Sequence, residues 1–244
     1  MTLPSTHPQT ASPSGDGAYD PELVFAPLRD QILTKPVVIG QLGQTLDGRI
    51  ATLSGESRGI GGKAGLSHLQ RLRMFADAVV VGAGTIAIDN PRLNVREFDA
   101  PSPARVVLDP RGRITSGGHW LADDGAQKIL ISSSNSMPKG CNELIRPQLE
   151  NGLFDPHVII SELFKRGYKR LLIEGGAKTL AAFISARAMD RLHIVVSPVI
   201  FGSGKSGLEL PEISSLSEAM RPKTTAWLMQ GGEVLFDCDL RESA

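Results

Sequence analysis

Two glycine-rich segments, each directly after an apolar run, are the parts of the sequence best suited to bind a phosphate. The first contains Gly82 and Gly84 and has the order G-x-G-x-x-A after Val79-Val80-Val81. This order after a strand is the dinucleotide fingerprint of a Rossmann unit, because the glycines let a pyrophosphate approach backbone N–H groups at a helix start. Asn90-Pro91 follows within two turns, however, and the residue before a proline disfavours the helical conformation. The sequence therefore favours a glycine-rich cofactor turn of another fold over a Rossmann unit.

The second glycine-rich segment begins at Glu174, where a predicted buried strand ends. Gly175 and Gly176 lead into a predicted helix, whose first N–H groups carry partial positive charge and can bind a phosphate. Lys178 adds a cation there, and Thr179 adds a hydroxyl. Open α/β sheets place their ligands at the carboxyl ends of strands, so we interpret this segment as a phosphate site. The alternative is a tight turn in which the glycines only provide the backbone geometry.

Two polar loops and several arginines could complete such a site. Residues 54–62 form a glycine-rich loop that could close over a ligand, and residues 89–96 form a polar loop after the first glycine turn. Arg73, Arg92 and Arg96 could bind a phosphate through paired N–H groups. Taken singly, each of these arginines is more often a solvated surface charge.

Other motifs carry weaker signals. Asp47-Gly48 is predicted as a turn. Residues 201–207 resemble part of a P-loop, but Val199 stands where that pattern requires glycine, so we predict a solvated loop. Asp237 and Asp239 are predicted on the wet face of an edge strand. The five histidines fall in unrelated contexts and show neither a triad nor a metal-binding spacing.

Short apolar runs alternate with amphipathic patterns from residue 35 onward, which predicts a largely parallel α/β sheet. Strands are predicted at 37–42, 78–81, 105–108, 128–131, 170–173, 192–196, 226–229 and 234–238. Helices are predicted at about 63–76, 155–166 and 177–187. Asp155 is the expected N-cap of the second helix, and Gly167 lies just beyond its end. A hairpin signal at Gln230 to Glu233 predicts that the sheet ends antiparallel.

Composition predicts one globular domain at residues 35–244, preceded by two N-terminal segments. Residues 1–20 hold almost no large apolar side chain and are predicted as a flexible tail, and residues 21–34 as an N-terminal arm or short helix. With 26 basic and 26 acidic residues the formal net charge is zero, which argues against a nucleic-acid partner. The sequence lacks a long apolar run and a signal-peptide pattern, so we expect a cytoplasmic protein with no membrane partner.

Seven motifs resemble those of the pyrimidine reductases of riboflavin biosynthesis, the reductase half of the bifunctional deaminase–reductase. In chain order they are TLDGRIA, GES, VGAGT, DNPRL, VVLD, IEGG and SPVIFG, and the resemblance runs from about residue 36 to 240. It implies a dihydrofolate reductase-like fold, with a mixed, mostly parallel sheet, and a homodimer. It also implies an NADPH-dependent oxidoreductase that reduces the ribosyl group of a 5-amino-6-(5-phosphoribosylamino)pyrimidinone to a ribityl group.

The resemblance further implies roles for individual residues. Glu174 is expected to be catalytic, beside the carbon that is reduced. Contacts with the phosphorylated substrate are expected from Ser57, Arg73, Leu93, Arg96 and Glu174, with the two arginines on the phosphate side. Contacts with NADPH are expected from Gly43, Gly59, Gly82, Gly84, Thr85, Asp89, Gly175, Gly176, Ala177, Lys178, Thr179 and Leu180. Arg111 and Arg113 are a hypothesis for the adenosine 2′-phosphate, and no metal is expected.

The sequence departs from the family pattern at two positions. Gly59 stands where many bacterial members carry tryptophan, and Gln41 where many carry lysine. The H-x-E and P-C-x-x-C zinc motifs of the deaminase half are absent from the sequence, which predicts a standalone reductase. Two alternatives stay open: a reductase of the same fold for a pterin, folate or other imine, and a catalytically silent nucleotide-binding paralogue.

Overall fold

The computed structural model describes residues 17–29 and 34–241, which form a nine-stranded sheet with helices on both faces. The helices are α1 (Pro21–Arg29), α2 (Lys63–Phe75), α3 (Ala83–Asp89), α4 (Pro156–Lys165) and α5 (Ala177–Ser185). The strands of the main sheet are β1 (Val37–Thr45), β3 (Ala78–Gly82), β4 (Ala104–Asp109), β5 (Lys128–Ser132), β6 (Glu143–Ile145), β7 (Arg170–Glu174), β8 (Arg191–Ser197), β10 (Lys223–Leu228) and β11 (Val234–Asp239). A separate pair consists of β2 (Arg49–Ala51) and β9 (Lys205–Ser206). Within the described ranges, no helix combines the length and the apolar character that crossing a bilayer requires.

The main sheet has the order β10-β11-β8-β1-β7-β3-β4-β5-β6. The seven strands from β8 to β6 pair in parallel, whereas β11 is antiparallel to both β8 and β10. This confirms the predicted mostly parallel sheet with a C-terminal antiparallel hairpin. Because β7 returns to the middle of the sheet between β1 and β3, the carboxyl ends of β1, β7, β3 and β4 meet at one edge. Ligands of open α/β sheets bind at such an edge.

Each face of the sheet packs against its own helices. One apolar core combines the sheet with Ile159 and Leu163 of α4 and Phe183 of α5. The opposite core combines it with Phe25 of α1 and Leu72 of α2. The central strands are continuous Val, Ile and Leu runs because both of their faces are covered.

The predicted elements agree with the structure where their sequence signal is long. Each of the eight predicted strands and three predicted helices exists, with bounds shifted by up to three residues. Asp155 accepts a hydrogen bond from the His157 N–H at 2.8 Å, and Gly167 has a φ of +90°, which confirms both predicted ends of α4. Helix α3 and the strands β2, β6 and β9 are not among the elements predicted from the sequence.

The N-terminal segment Gly17–Arg29 is part of the folded structure. The Tyr19 N–H donates to the Leu228 carbonyl at 2.8 Å, and Ala18 forms a parallel bridge with Leu228. The predicted flexible tail is therefore wrong for residues 17–20, and residues 1–16 lie outside the described part of the chain. The short helix predicted within residues 21–34 exists as α1, and it buries three apolar side chains, Val24, Phe25 and Leu28.

Asp237 and Asp239 do not lie on the wet face of an edge strand. Their strand, β11, lies between β8 and β10, and both carboxylates are buried. Arg191 of β8 donates to Asp237 at 2.7 Å and to Asp239 at 3.2 Å. The prediction is wrong because the partner arginine lies on a strand almost fifty residues earlier, which a local pattern does not reveal.

Candidate functional site

A cleft of about 620 Å³ opens at the carboxyl edge of the main sheet. Both glycine turns line it, with residues 82–85 from the start of α3 and residues 176–179 from the start of α5. Its apolar wall includes Leu108, Phe154 and Phe183. The cleft therefore lies at the ends of β3, β4 and β7 on the face covered by α4 and α5. Its volume falls in the range of about 300–1,000 Å³ that ligand pockets occupy.

The two glycine turns pack directly against each other, which explains why glycine stands at two of their positions. A Cβ at Gly82 would lie 2.6 Å from Thr179 Oγ1, and a Cβ at Gly176 would lie 3.0 Å from Thr85 Oγ1. Gly176 also has a φ of +67°, in the left-handed region that favours glycine. Neither α3 nor α5 has a side-chain cap at its glycine N-cap, so no capping side chain would compete with a ligand for their first N–H groups.

Basic side chains outnumber acidic ones around the cleft. The basic residues are Arg111, Arg113, Lys178 and Lys205, and the acidic ones are Asp89 and Glu209. The excess of positive charge adds to the partial positive charge at the start of α5. This electrostatic arrangement suits a ligand that carries phosphates at more than one position.

Glu174, the last residue of β7, is held by a bidentate ion pair with Arg73 of α2. Arg73 Nε lies 2.6 Å from Glu174 Oε1 and Nη2 lies 2.7 Å from Oε2. Each of the two side chains is only 7% exposed. Arg73 Nη1 donates to the Asn94 carbonyl at 3.1 Å. Burial alone would lower the pKa of Arg73, but the attraction and hydrogen bonds of Glu174 raise it above its usual value. The guanidinium therefore stays charged and fixes the carboxylate in one orientation.

A buried carboxylate from the C-terminal hairpin anchors the start of α2. Glu233 Oε1 accepts from the Gly62 N–H and Oε2 from the Gly65 N–H, both at 2.8 Å. Ser197 Oγ donates to Glu233 Oε1 at 3.0 Å. Because α2 has no side-chain cap at Gly62, Glu233 satisfies its first N–H groups and neutralises the positive end of the helix.

Another carboxylate joins the turn after β1 to the segment before β9. Asp47 Oδ1 accepts from Thr45 Oγ1 at 2.6 Å and from the Phe201 N–H at 3.1 Å, and Oδ2 accepts from the Gly202 N–H at 2.7 Å. These hydrogen bonds, chiefly the one from Thr45, lower the pKa of Asp47 to about 2. The predicted turn at Asp47-Gly48 is confirmed, and its carboxylate also holds a distant loop.

The segment 201–207, predicted as a solvated loop, forms part of the cleft wall. Lys205 and Ser206 make up β9, pair with Ala51 and Arg49 of β2, and line the cleft. The loop prediction is wrong at these positions because a two-residue strand has no measurable periodicity. The lysine of the P-loop-like sequence thus reaches the candidate site without forming a P-loop.

The structure brings together just over half of the residues predicted for the site. Nine of them line the cleft: Ser57, Gly82, Gly84, Thr85, Asp89, Gly176, Ala177, Lys178 and Thr179. Arg111 and Arg113 line it as well. Eight predicted residues are not part of its lining: Gly43, Gly59, Arg73, Leu93, Arg96, Glu174, Gly175 and Leu180. Their assigned contacts stay predictions.

Three of these eight residues have surroundings that restrict what they can contact. The side chains of Leu93 and Leu180 are buried in the two cores, so only their backbones can reach a ligand. Leu93 has a φ of +56°, an uncommon conformation for a branched side chain that the surrounding loop must stabilise. Arg73, predicted on the phosphate side, has Glu174 as its partner in this structure.

The two departures from the family pattern lie in different places. Gln41 is buried and pairs in register with Glu174 across β1 and β7, so it lies beside the candidate catalytic carboxylate. Gly43, two residues further along β1, has no atom within 4 Å of an added Cβ, which leaves open space there. Gly59 has a φ of +88°, a conformation that L side chains rarely adopt. A tryptophan at position 59 would therefore require a different loop backbone.

Sequence reasoning missed much of the cleft wall. The missed residues include the apolar Ile50, Ala51, Leu153, Phe154, Ile159 and Phe183 and the polar Lys205, Ser206 and Glu209. Ile159 and Phe183 lie on predicted helices, where apolar periodicity predicts burial but not a ligand. Only the glycine and lysine pattern around Lys205 offered a functional signal, and the missing glycine at position 199 argued against it.

Comparisons with known proteins agree on one family. Residues 36–231 match the model of the RibD C-terminal domain. A 2,5-diamino-6-ribosylamino-4(3H)-pyrimidinone 5′-phosphate reductase of Methanothermobacter thermautotrophicus is 31% identical over 198 residues, which cover 77% of this chain and 90% of that protein. The riboflavin biosynthesis protein RibD of Aquifex aeolicus is 31% identical over 195 residues, covering 77% of this chain and 53% of that protein. The chain thus spans about half the length of the RibD protein and most of the archaeal reductase.

Solved structures with the same fold include a deaminase/reductase and a reductase. The crystal structure of a diaminohydroxyphosphoribosylaminopyrimidine deaminase/5-amino-6-(5-phosphoribosylamino)uracil reductase from Thermotoga maritima has a TM-score of 0.73 and 26% identity, covering 84% of this chain and 57% of that one. A riboflavin biosynthesis reductase of Saccharomyces cerevisiae has a TM-score of 0.68 and 19% identity, covering 90% of this chain and 96% of that one. These likenesses confirm the predicted dihydrofolate reductase-like fold.

Proposed function

Because this chain belongs to the RibD C-terminal domain family, we propose that it is an NADPH-dependent pyrimidine reductase of riboflavin biosynthesis. The reaction reduces the ribosyl group of a 5-amino-6-(5-phosphoribosylamino)pyrimidinone to a ribityl group. The observation that carries this proposal is the cleft of about 620 Å³, into which both glycine turns and four basic side chains converge. The archaeal relative named as a reductase of a related pyrimidinone phosphate supports it, because the chain covers 90% of that protein.

The residues around the cleft fit a dinucleotide with an additional phosphate. The start of α5, together with Lys178, provides N–H groups and a cation for the pyrophosphate. Arg111 and Arg113 follow β4 and provide guanidinium groups for the adenosine 2′-phosphate. When bound, NADPH supplies the hydride. The apolar wall around Phe183 excludes water from the part of the cleft next to the glycine turns.

Glu174 acts on the sugar that is reduced. Its carboxylate stabilises the positive charge of the opened, imine-like ribose and accepts hydrogen bonds from the sugar hydroxyls. A carboxylate oxygen has two lone pairs, so each Glu174 oxygen can bind Arg73 and still accept a hydrogen bond from the substrate. Arg73 therefore orients the catalytic group without occupying it fully.

Arg96 is better placed than Arg73 to bind the substrate's phosphate. Arg73 is buried, and three of its five N–H groups are used by Glu174 and Asn94. Arg96 is exposed and lies two residues after Asn94, on the same loop. Ser57 lines the cleft and contacts the sugar or its phosphate.

The enzyme works as a homodimer through the open face of its C-terminal hairpin. Leu228 of β10 and Phe236 of β11 share this face and are 60% and 37% exposed. Apolar surface of this kind commonly marks a protein–protein interface. Light scattering is expected to give twice the chain mass of 26.1 kDa, and Leu228→Lys to shift the protein towards monomer.

The decisive experiment follows the consumption of NADPH at its absorbance band. The purified protein is offered the 2-amino and 2-oxo forms of the phosphoribosylaminopyrimidinone, a dephosphorylated analogue, dihydrofolate and a dihydropterin. We expect turnover with a phosphorylated pyrimidinone and formation of its ribityl product. Turnover only with the folate or pterin would overturn the proposed substrate. Absence of turnover with every substrate would overturn the proposed activity, and NADPH binding without turnover would then favour the catalytically silent paralogue.

A reductase of the same fold for a pterin, folate or other imine is the second candidate. The backbone at Gly59 favours it, because a φ of +88° there is incompatible with the tryptophan that many bacterial family members carry. The same substrate panel separates the two candidates.

A further inference from the structure

We propose that the N-terminal segment Gly17–Arg29 positions Glu174 by holding α2 against the sheet. The inference rests on the proposed function for the catalytic role of Glu174. The segment precedes residues 36–231, which match the family domain. Its contacts with α2 therefore come from a part of the chain outside that domain.

The segment packs on the end of α2 that carries Arg73. The ring of Phe25 is buried and stacks on the ring of Phe75, with 4.9 Å between centroids and 16° between planes. Phe75 is the last residue of α2. The Arg29 guanidinium lies 5.6 Å from the centroid of the same ring. These contacts fix the position of the last turn of α2 relative to α1.

A chain of buried polar contacts joins the segment to the middle of α2 and on to the sheet. The Tyr19 hydroxyl forms a hydrogen bond with His68 Nδ1 at 2.9 Å, and His68 Nε2 lies 3.0 Å from His193 Nδ1. His193 Nε2 lies 3.2 Å from Asp237 Oδ1. Both imidazoles are fully buried. The contact between the two rings is a hydrogen bond with one ring nitrogen as donor and the other as acceptor. These contacts tie the N-terminal segment and α2 to β8, and the proximity of His193 to Asp237 extends them to β11.

The segment also supports the start of α2 through the C-terminal hairpin. Its backbone pairs with Leu228 at the end of β10. The next residue, Met229, donates its N–H to the Glu233 carbonyl at 2.8 Å. The Glu233 carboxylate in turn binds the first N–H groups of α2. The segment therefore contacts α2 at its middle and its end, and reaches its start through this hairpin.

These contacts matter for Glu174 because Arg73 lies between His68 and Phe75 on α2. Both side-chain hydrogen bonds between α2 and Glu174 come from the Arg73 guanidinium. A bidentate pair tolerates little displacement, and a misplacement of about 1 Å at a reacting group can lower the rate about 100-fold. Tyr19 and Phe25 are therefore positioning residues for the carboxylate.

The experiment compares the full-length protein with Tyr19→Phe and Phe25→Leu. Leu23→Ala, which alters an exposed side chain of α1, and Val158→Ala, which alters an exposed side chain of α4 on the opposite face of the sheet, serve as controls. One readout is the NMR signal of the Arg73 Nε–H in ¹⁵N-arginine-labelled protein without ligand. The other is the kinetics with NADPH and the pyrimidinone at a temperature where all variants are folded.

We expect the Arg73 Nε–H signal to shift or to exchange more rapidly in both test variants. In the controls we expect this signal to match that of the wild type. We also expect kcat to fall about fivefold while KM for NADPH changes by less than about twofold, because only the orientation of Glu174 is disturbed. If Tyr19→Phe fails to fold, Phe25→Leu decides. An unchanged Arg73 signal in a folded test variant, or a loss of kcat equal to that of Leu23→Ala, overturns the inference. If the wild type shows no turnover, the proposed function fails, and the NMR comparison alone decides whether the segment positions the ion pair.

Discussion

Replacing one partner of the Arg73–Glu174 pair is expected to destabilise the protein more than replacing both. Glu174→Gln keeps the size of the side chain but leaves the buried Arg73 guanidinium without its counter-charge. Removing one member of a buried pair costs about 3–5 kcal/mol, which corresponds to a loss of about 6–20 °C in Tm for a chain of this size. Arg73→Met leaves a buried carboxylate unpaired and is expected to have a similar effect.

The double variant Arg73→Met with Glu174→Leu removes both charges and fills their space with apolar groups. The Asn94 carbonyl, which accepts from Arg73 Nη1, then loses a partner. An unsatisfied buried carbonyl costs about 1–3 kcal/mol, so the double variant should be more stable than either single variant. The expected coupling between the two sites is at least about 3 kcal/mol.

Urea unfolding of the four proteins measures this coupling. Glu162→Gln is the matched control, because Glu162 forms ion pairs with Lys165 and Arg166 at the surface of α4. Exposed pairs contribute about 0–1 kcal/mol, so the control should unfold near the wild-type midpoint. If the losses in free energy of unfolding of the two single variants add up to the loss of the double variant, the two charges are not coupled. The structural role assigned to Arg73 would then be wrong.

Three further outcomes follow from single groups. Arg111→Ala and Arg113→Ala are each expected to raise KM for NADPH about tenfold while leaving KM for NADH nearly unchanged. An equal rise of KM for both cofactors in steady-state kinetics would show that these arginines do not bind the adenosine 2′-phosphate. Burial and the proximity of His193 lower the pKa of His68 well below 6.5, so the unfolded chain binds the additional proton first. The contribution of neutral His68 to the free energy of unfolding, measured with urea, should therefore be complete above pH 6.5. Below pH 6.5 the free energy of unfolding should fall by up to about 1.4 kcal/mol per pH unit, and His68→Gln should flatten this dependence. Gly82→Ala should destabilise the protein because its Cβ would lie 2.6 Å from Thr179 Oγ1, and Thr179→Ala in the same chain should restore much of the loss of Tm.

The strands, helices and turns could be predicted from the sequence wherever several consecutive residues all favour the same type of secondary structure. The run Val79-Val80-Val81 predicts a covered strand by itself, and the hairpin at Gln230 to Glu233 predicts the antiparallel end of the sheet. The strands β2, β6 and β9 have two or three residues each, too few for any periodicity. Helix α3 was not predicted because it has only seven residues and ends where Asn90 takes a φ of +42° before Pro91.

One part of the candidate site could be predicted from local sequence, whereas another part depends on contacts between residues that are far apart in the chain. The binding role proposed for residues 82–85 and 174–180 could be predicted from a short stretch of sequence, because a helix start after a strand is a local feature. The pair of Arg73 and Glu174 spans 101 positions, and the contact between His68 and His193 spans 125. No spacing rule links such residues, so the ion pair in which Arg73 orients Glu174 could not be predicted from the sequence.

The position of Glu174 in β7 places its side chain on one face of the sheet and the glycine turn that follows it on the other. Alternate residues of a strand point to opposite faces, and Leu172 of β7 belongs to the core of α1 and α2 whereas Ile173 belongs to the core of α4 and α5. Glu174 therefore shares the face of α2 with Leu172, while the glycine turn that follows it forms part of the cleft beside α5. A cofactor held on one face and a carboxylate held from the other can meet only at the carboxyl end of β7. A substitution that displaces α2 should consequently change turnover before it changes cofactor binding, and a substitution in the glycine turns should do the reverse.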